Sequence, residues 1–473
     1  MARPFEAFNR LIAEHDMIPS GSTVLCALSG GADSVYLLHR LYLLRTVRDF
    51  RLVAAHYNHH LRGEESERDE EFVRRFVEKW CSSLIETSGG GHRELPAVPL
   101  FVGGGDVAKE AARRKTGLEE TAREMRYEFL RKTAQSLGGA IIATAHTADD
   151  NAETMLFHLA RGSGLRGLTG IRPKGDGLIR PMLTTTRAQV EEYLRLYSIP
   201  HVEDSSNADE RFARNRLRHR VIPEMEDLCP GVVERTAFTA SLLRADEDYL
   251  TDQAEKAVEG IEPENDLIRI PAVAISDLPD ALASRAVRIL ISRMRGGDTD
   301  LAAAHLLSVV AISRGADPSA SVSLPGGLAA RREYDDLVLD FVGNEPKTPD
   351  PVPVTIDGQT VYGDTGWTVF CSQVICPEKN CKNPDSFFLA RDKMVGALVL
   401  RPRKTGDHIK LPGRGTRTVK KLLIDKKIPL MSRGMLPVLA DDDGVVALAS
   451  FGPDEFRLAQ PGEPALWITL KKE

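Results

Sequence analysis

The chain has 473 residues, of which 42% are hydrophobic and 27% charged; this balance excludes a disordered or fibrous protein, and the length calls for two to four domains rather than one core. A formal net charge of -6 does not announce a nucleic-acid binder, although an acidic total can hide a basic face. There is no run of about 18 apolar residues, the opening Met1-Ala2-Arg3-Pro4-Phe5-Glu6 lacks the apolar stretch of a signal peptide, and six cysteines are too sparse for a disulfide scaffold, so a reduced, cytoplasmic protein without membrane segments is expected.

The first apolar run, Thr23-Val24-Leu25-Cys26-Ala27-Leu28, reads as a strand and leads through Ser29-Gly30-Gly31-Ala32-Asp33-Ser34 into Val35 to Leu41, which has helical spacing. A loop placed between a strand's carboxyl end and a helix's amino end suits an anion. Glycines let the backbone turn tightly, and the helix dipole favours negative charge there. A plain turn with paired glycines is the bland alternative. The string has neither Gly-Lys-Ser/Thr nor G-x-G-x-x-G, so it is neither the mononucleotide P-loop nor the dinucleotide fingerprint. It resembles the Ser-Gly-Gly-x-Asp-Ser loop of the N-type ATP pyrophosphatases. That resemblance implies that Ser29, Gly30, Gly31, Ala32, Asp33 and Ser34 bind ATP and that pyrophosphate is released. Carboxylate and phosphate repel, so Asp33 is expected to act through a magnesium ion, or else to cap the helix.

Next come the strand Leu52 to His56 and an amphipathic helix marked by Phe72, Val73, Phe76, Val77 and Trp80, whose stripe is core. A later strand, Ala140 to Ala145, completes the alternation of a parallel, Rossmann-like sheet. His56-Tyr57-Asn58-His59-His60-Leu61-Arg62-Gly63 follows the second strand, and His146-Thr147-Ala148-Asp149-Asp150-Asn151-Ala152-Glu153-Thr154 follows the later one. Both lie at strand C-termini, where open α/β sheets place ligands. Taken blandly, Asp150 and Glu153 form an N-cap with an acid at N3.

Together with the loop, these strings, Ala122 to Leu130 (A-R-E-x-R-Y-E-F-L), Arg161 to Gly164, Glu203 to Asn207 and Arg214 to His219 are similar to the tRNA(Ile)-lysidine synthetases. The resemblance implies that ATP adenylates the wobble cytidine of a CAU-anticodon tRNA(Ile), after which L-lysine displaces AMP. Asp150 and Arg126 are then expected to hold the amino acid, with Asp149 and Glu153 as weaker candidates. His146 would orient the phosphate or base, and His56 would border the adenine. The catalytic set is Asp33, Asp150, Arg126 and His146. Thr147 stands where the family commonly has a second histidine.

From Val221-Ile222-Pro223 the pattern becomes helical to about residue 314, and beyond Ala320 it alternates like strands, with Pro346, Pro349, Pro351 and Pro353 in one connector. The expected architecture is an α/β N-terminal parallel-sheet domain (1–225), a helical substrate-binding middle domain with a β-rich connecting segment (226–395) and a small α+β C-terminal domain (396–473). Basic residues concentrate at Arg211 to Arg220, and Arg401 to Arg433 holds eleven Lys/Arg against Asp407 and Asp425. Arg62, Arg214, Arg216, Arg218, Lys420 and Lys421 are therefore expected to contact tRNA, the last two in a stretch resembling the family's C-terminal tRNA-binding module. Gly89 to Gly91 and Gly103 to Gly105 look like loops of unassigned purpose. Cys371, Cys376 and Cys381 have spacing too wide for an ordinary zinc site. A homodimer is left open. A tRNA thiolase on the same core is the alternative enzyme, disfavoured because Cys26, Cys81 and Cys229 contain no C-x-x-C and Cys26 lies in a buried strand. An inactive tRNA-binding protein would have lost Asp33, Asp150 or Arg126.

Overall fold

The computed structural model describes residues 3–61, 63–81, 85–86, 92–93, 96–203, 213–298, 300–343, 347–378 and 383–472. The chain forms two compact units, Met1–Tyr249 and Leu250–Glu473.

The first unit runs α1 (Arg3–Glu14), β1 (Ser22–Ala27), α2 (Ala32–Leu44), β2 (Phe50–Asn58), α3 (Glu64–Trp80), a short β3 (Ile85–Glu86) and β4 (His92–Arg93) hairpin, β5 (Leu100–Gly104), α4 (Val107–Arg114) and α5 (Leu118–Ser136). It continues with β6 (Ile141–Ala143), α6 (Ala148–Ala160), α7 (Leu165–Leu168), β7 (Lys174–Gly175), β8 (Leu178–Ile179), α8 (Arg187–Leu196), α9 (Ala213–Arg216), α10 (Ile222–Leu228) and α11 (Val232–Ala257), within which the boundary between units falls. Strand order is β5-β2-β1-β6-β8-β7. The pairs from β5 to β8 are parallel and β7 is antiparallel. The chain leaves β1 toward β2 and β5 on one side and returns to build β6 on the other. The crevice outside the carboxyl ends of β1 and β6 is therefore the sheet's topological switch point.

β1 is apolar from Val24 to Ala27 because both faces of the sheet are covered there. Val24 and Cys26 join Phe8, Ile12, Leu37, Leu41 and Val190 on one side. Leu25 faces Tyr127, Leu130 and Ala134 of α5 on the other. Val73, Phe76 and Val77 of α3 are buried as their spacing requires, with Phe76 stacked between Phe72 and Trp80 at 5.8 and 6.0 Å. The Gly103–Gly105 run has a packing explanation. A Cβ on Gly103 would lie 2.5 Å from the Phe129 ring, and one on Gly105 would lie 2.7 Å from Met125 Cε and Tyr57 Oη.

In the second unit, helices Asp280–Arg295 and Ala303–Arg314 pack on a four-stranded antiparallel sheet that includes Leu328–Glu333 and Asp336–Phe341. Two further antiparallel sheets share the Val369, Leu400, Val446 and Ile468 core. Cys371 is fully buried there, whereas Cys376 belongs to a separate small cluster with Phe388 and Ala465; Cys381 lies outside the described residues. Among the described residues no helix is long and apolar enough to cross a membrane.

His39 of α2 hydrogen-bonds through Nδ1 to Tyr193 Oη at 2.8 Å, and burial, followed by the Arg40 charge, pushes its pKa down to about 4. An unfolded chain therefore binds more protons here as pH falls from the unfolded value near 6.5 toward 4, and stability is lost across that window. His39→Gln is expected to shrink the loss of unfolding free energy between pH 7 and pH 5 by about 2 kcal/mol, as read from urea titrations at the two pH values.

Candidate active site

The loop after β1 is shaped from within. Gly30 has φ 97°, and a Cβ there would lie 3.2 Å from Val73 Cγ2, so both backbone conformation and space call for glycine. The Ser34 hydroxyl accepts the backbone N–H groups of Ser29 and Gly30, each at 3.1 Å, and donates to the Gly31 carbonyl at 2.9 Å. Gly31, not Asp33, is the N-cap of α2. The donors left facing an incoming anion are the first amides of the helix, on Ala32, Asp33 and Ser34, which precede its first internal hydrogen bond from Val35 to Gly31.

Beside this loop four elements bring carboxylates and guanidinium groups together. Asp33 comes from α2, Asp149, Asp150 and Glu153 from the first turns of α6, and Arg187 from the first position of α8. Arg218 comes from a π-helical turn, Leu217–Val221. The Arg187 guanidinium stands 3.6 Å from Asp33 and 3.8 Å from Asp150, while its backbone N–H is bound by Asp149 at 2.7 Å. Arg218 grips Glu153 with two hydrogen bonds, Nε at 2.6 Å and a terminal nitrogen at 3.0 Å, and reaches Asp150 at 3.3 Å. Glu153 is almost fully buried, and burial raises its pKa above the usual carboxylate range despite that pairing. Burial likewise pushes Asp33 up to about 6, with Arg187 opposing and Asp150 reinforcing the shift. Asp33 Oδ1 is buried without a hydrogen-bond partner.

The capping arrangement differs from the bland sequence reading. Thr147 is the N-cap of α6 and Asp150 its N3 residue, with reciprocal hydrogen bonds at 3.3 Å and 2.9 Å. Thr147 is fully buried in that role. The second Asp150 oxygen faces the two arginines, and Glu153 takes no part in the cap.

Of the other candidate residues, His56 is buried on β2 with Nδ1–H donated to the Leu28 carbonyl at 2.8 Å, and burial lowers its pKa. Its ring thus ties the second strand to the start of the loop. His146 follows β6, with Nδ1 3.0 Å from Thr144 Oγ1, and burial pushes its pKa down to about 4. Arg126 lies half-buried on α5, its guanidinium carbon 5.6 Å from the Tyr127 ring centre. Arg214 and Arg216 are exposed, and Arg62 lies outside the described residues. In the second unit Lys420 and Lys421 are exposed on helix Val419–Asp425. The eleven-cation stretch is partly neutralised internally. Arg401 holds Asp407 through two hydrogen bonds at 2.8 and 2.9 Å, Arg417 pairs with Asp425, and Lys427 pairs with Asp335. Arg433 is buried against the Ile428 carbonyl and Tyr334 Oη.

Arg187 was not foreseen. The Thr186–Gln189 capping box marks the helix it starts, but its carboxylate partners are remote in sequence and no local pattern couples them.

Comparison with known proteins bears on this site. A PP-loop domain model matches residues 5–225, and a model described as the TilS substrate C-terminal domain matches residues 398–469. A tRNA(Ile)-lysidine synthase from Geobacillus kaustophilus is 31% identical over 92% of this chain and 91% of its own. The chain belongs to the tRNA(Ile)-lysidine synthase family. A family member from Caldanaerobacter subterraneus is 29% identical over 98% of this chain and 97% of its own. Among solved structures, a U34-tRNA thiolase from Methanococcus maripaludis aligns with TM-score 0.41 and 14% identity over 50% of this chain and 79% of that one. Membership makes the chain a ligase with an ATP-binding PP-loop domain, and the carboxylate–guanidinium cluster lies within the residues matched by that domain.

Removing Arg218 alone would strand buried Glu153 as an unpaired charge. Arg218→Ala is expected to lower unfolding free energy by about 3 kcal/mol, and Glu153→Met added to it should recover most of the loss. Urea denaturation of the two single variants and the double variant checks this.

Proposed function

We propose that this chain uses ATP to join L-lysine to the 2-position of the wobble cytidine in CAU-anticodon tRNA(Ile). Adenylated cytidine is the intermediate, AMP and pyrophosphate are products, and codon reading changes from AUG to AUA. The observation that carries the proposal is the gathering of Asp33, Asp150 and Glu153 with Arg187 and Arg218 in the switch-point crevice beside the loop, in a chain of this family. In this reading residues 1–225 carry the chemistry in the cytoplasm, residues 226–395 help to bind the substrate, and residues 396–473 grip the tRNA.

The chemistry follows from charge. A carbonyl oxygen of cytosine leaves poorly, and adenylation converts it into part of a good leaving group. The first amides of α2 would hold the triphosphate. Asp33 Oδ1, buried and without a protein partner, fits a cation, and magnesium held there would offset the charge of the phosphates. Arg187, between Asp33 and Asp150, is placed to neutralise departing pyrophosphate. Asp150 would take an ammonium group of lysine, and Arg126 would take its carboxylate. The amine must lose a proton before it attacks. His146, held neutral near pH 7, is too weak a base to keep that proton and instead orients the phosphate or base. His56 would border the adenine from its place behind the loop. Arg214, Arg216, Lys420 and Lys421 are exposed and suit phosphate contacts, joined by Arg62 in the family's motif. Arg218, whose donors are engaged by Glu153 and Asp150, would position its basic segment at the RNA.

The thiolase alternative is less supported. Cys26 and Cys81 are buried and their thiol pKa values are raised by burial, Cys81 to about 12, the opposite of a reactive thiolate.

Protein incubated with ATP, magnesium, labelled lysine and unmodified tRNA(Ile) is expected to move label into acid-precipitable RNA. Asp33→Asn should cut that incorporation by about two orders of magnitude or more. AMP formation without lysine in the RNA would show that the nucleophile has been misassigned.

A further inference from the structure

Several arginines drawn away from water in this chain have ion-pair or main-chain partners. Arg331 pairs with Glu333 and Asp340, Arg401 with Asp407, and Arg218 with Glu153. Arg244 and Arg293 donate to main-chain carbonyls. Another group is held differently. Arg123 and Arg126 on α5, and Arg180 just past β8, have no carboxylate partner among the described residues. Arg126 and Arg180 are half-buried, with Arg123 at the exposed rim.

The fold puts these residues at one end of the sheet. β8 lies parallel to β6, with Ala143 opposite Ile179 and the Thr144 N–H bonded to the Ile179 carbonyl at 3.0 Å. Arg180 and His146 therefore leave adjacent strand ends, and His146 feels the charges of Arg180, Arg123 and Arg126 together. Between the arginines lies Tyr127, with the guanidinium carbons of Arg123 and Arg126 at 5.3 and 5.6 Å from its ring centre. Stacking of cations on an aromatic ring accounts for that much. It leaves two groups unexplained, because the Tyr127 hydroxyl and Arg180 Nε are both buried without hydrogen-bond partners. Arg180 spends one terminal nitrogen on the Arg172 carbonyl at 2.7 Å, and exposed Asp176 offsets its charge only weakly. Buried donors and cations left without partners are costly, and an oxyanion supplies acceptors to both donors and the missing charge at once.

We propose that Arg123, Arg126 and Arg180, with the Tyr127 hydroxyl, form an oxyanion subsite that receives the acidic group of a substrate entering the crevice. That group is the α-carboxylate of the amino acid or a phosphodiester of the anticodon loop, both of which present oxygens that guanidinium forks match. The proposal rests on the function given above and extends it from Arg126 to a three-arginine site with Arg180 as its second half-buried member.

The full-length protein tests it with Arg180→Gln, which keeps a donor toward the Arg172 carbonyl, and Arg123→Ala at the exposed rim. Three quantities are measured: KM for lysine, rate with cadaverine, which is lysine without its carboxylate, and Kd for unmodified tRNA at several salt concentrations. If the carboxylate is bound, KM for lysine rises about 10- to 100-fold while cadaverine and tRNA are unaffected, so the preference for lysine over cadaverine collapses. If a phosphodiester is bound, tRNA affinity weakens, the slope of log affinity against log salt falls by about one, and lysine KM holds. Variants that keep native circular dichroism and leave lysine KM, the lysine–cadaverine preference and tRNA affinity all unchanged overturn the subsite. Wild-type protein that binds tRNA yet joins no amine to it overturns the parent function instead, and the tRNA-affinity arm alone then judges the subsite.

Discussion

Carboxylates cannot share a half-buried crevice unless cations stand between them, and the first unit is organised around that constraint. Asp33, Asp150 and Glu153 approach one another at the carboxyl ends of β1 and β6 because Arg187 and Arg218 separate them. The two arginines come from different elements, one at the start of α8 and one from the π-helical turn before α10. π-Helical turns are uncommon and cluster at functional sites, and this one delivers the guanidinium that neutralises the most buried acid of the group. The result is a set of three acids against two arginines, in which Asp33 keeps one bare oxygen and Asp150 one oxygen shared between two arginines. Such a set is poised for substrates that bring their own cations and anions.

The loop beside it depends on smaller interactions. Ser34 ties the turn internally through three hydrogen bonds to the main chain, and Val202 closes over Gly30 by donating its N–H to the Gly30 carbonyl at 2.9 Å. His56 anchors the preceding carbonyl at Leu28. These contacts fix the turn into α2, whose first N–H groups precede its internal hydrogen bonds and suit a phosphate.

Much of this was legible in the sequence. β1 could be read because burial on both faces leaves a continuous apolar run, and α3 because its apolar stripe repeats at helical spacing among charges. The fold class followed from that alternation, and the family from the loop and strand-end strings. Other features depend on contacts that no local pattern encodes. Arg187 and Arg180 carry no motif, and their surroundings come from strands and helices far away in the chain. The cap of α6 fell on Thr147 rather than Asp150 because the strand end turns into the helix earlier than the acidic residues suggest. The basic C-terminal stretch looked uniformly available for RNA, but Arg401 and Arg433 are buried within their own unit and Arg417 and Lys427 meet acids. Counting charges along a sequence sees their sign, not their burial.

The most direct test concerns which molecule the nucleotide activates. Protein mixed with magnesium, ATP labelled in its α-phosphate and unmodified tRNA(Ile), with lysine withheld, is expected to transfer label to the RNA, and lysine added afterwards should release it as AMP. Label that reaches the RNA only when lysine is present, or that appears on lysine itself, would contradict activation of the wobble cytidine by the nucleotide held at the Ser29–Ser34 loop.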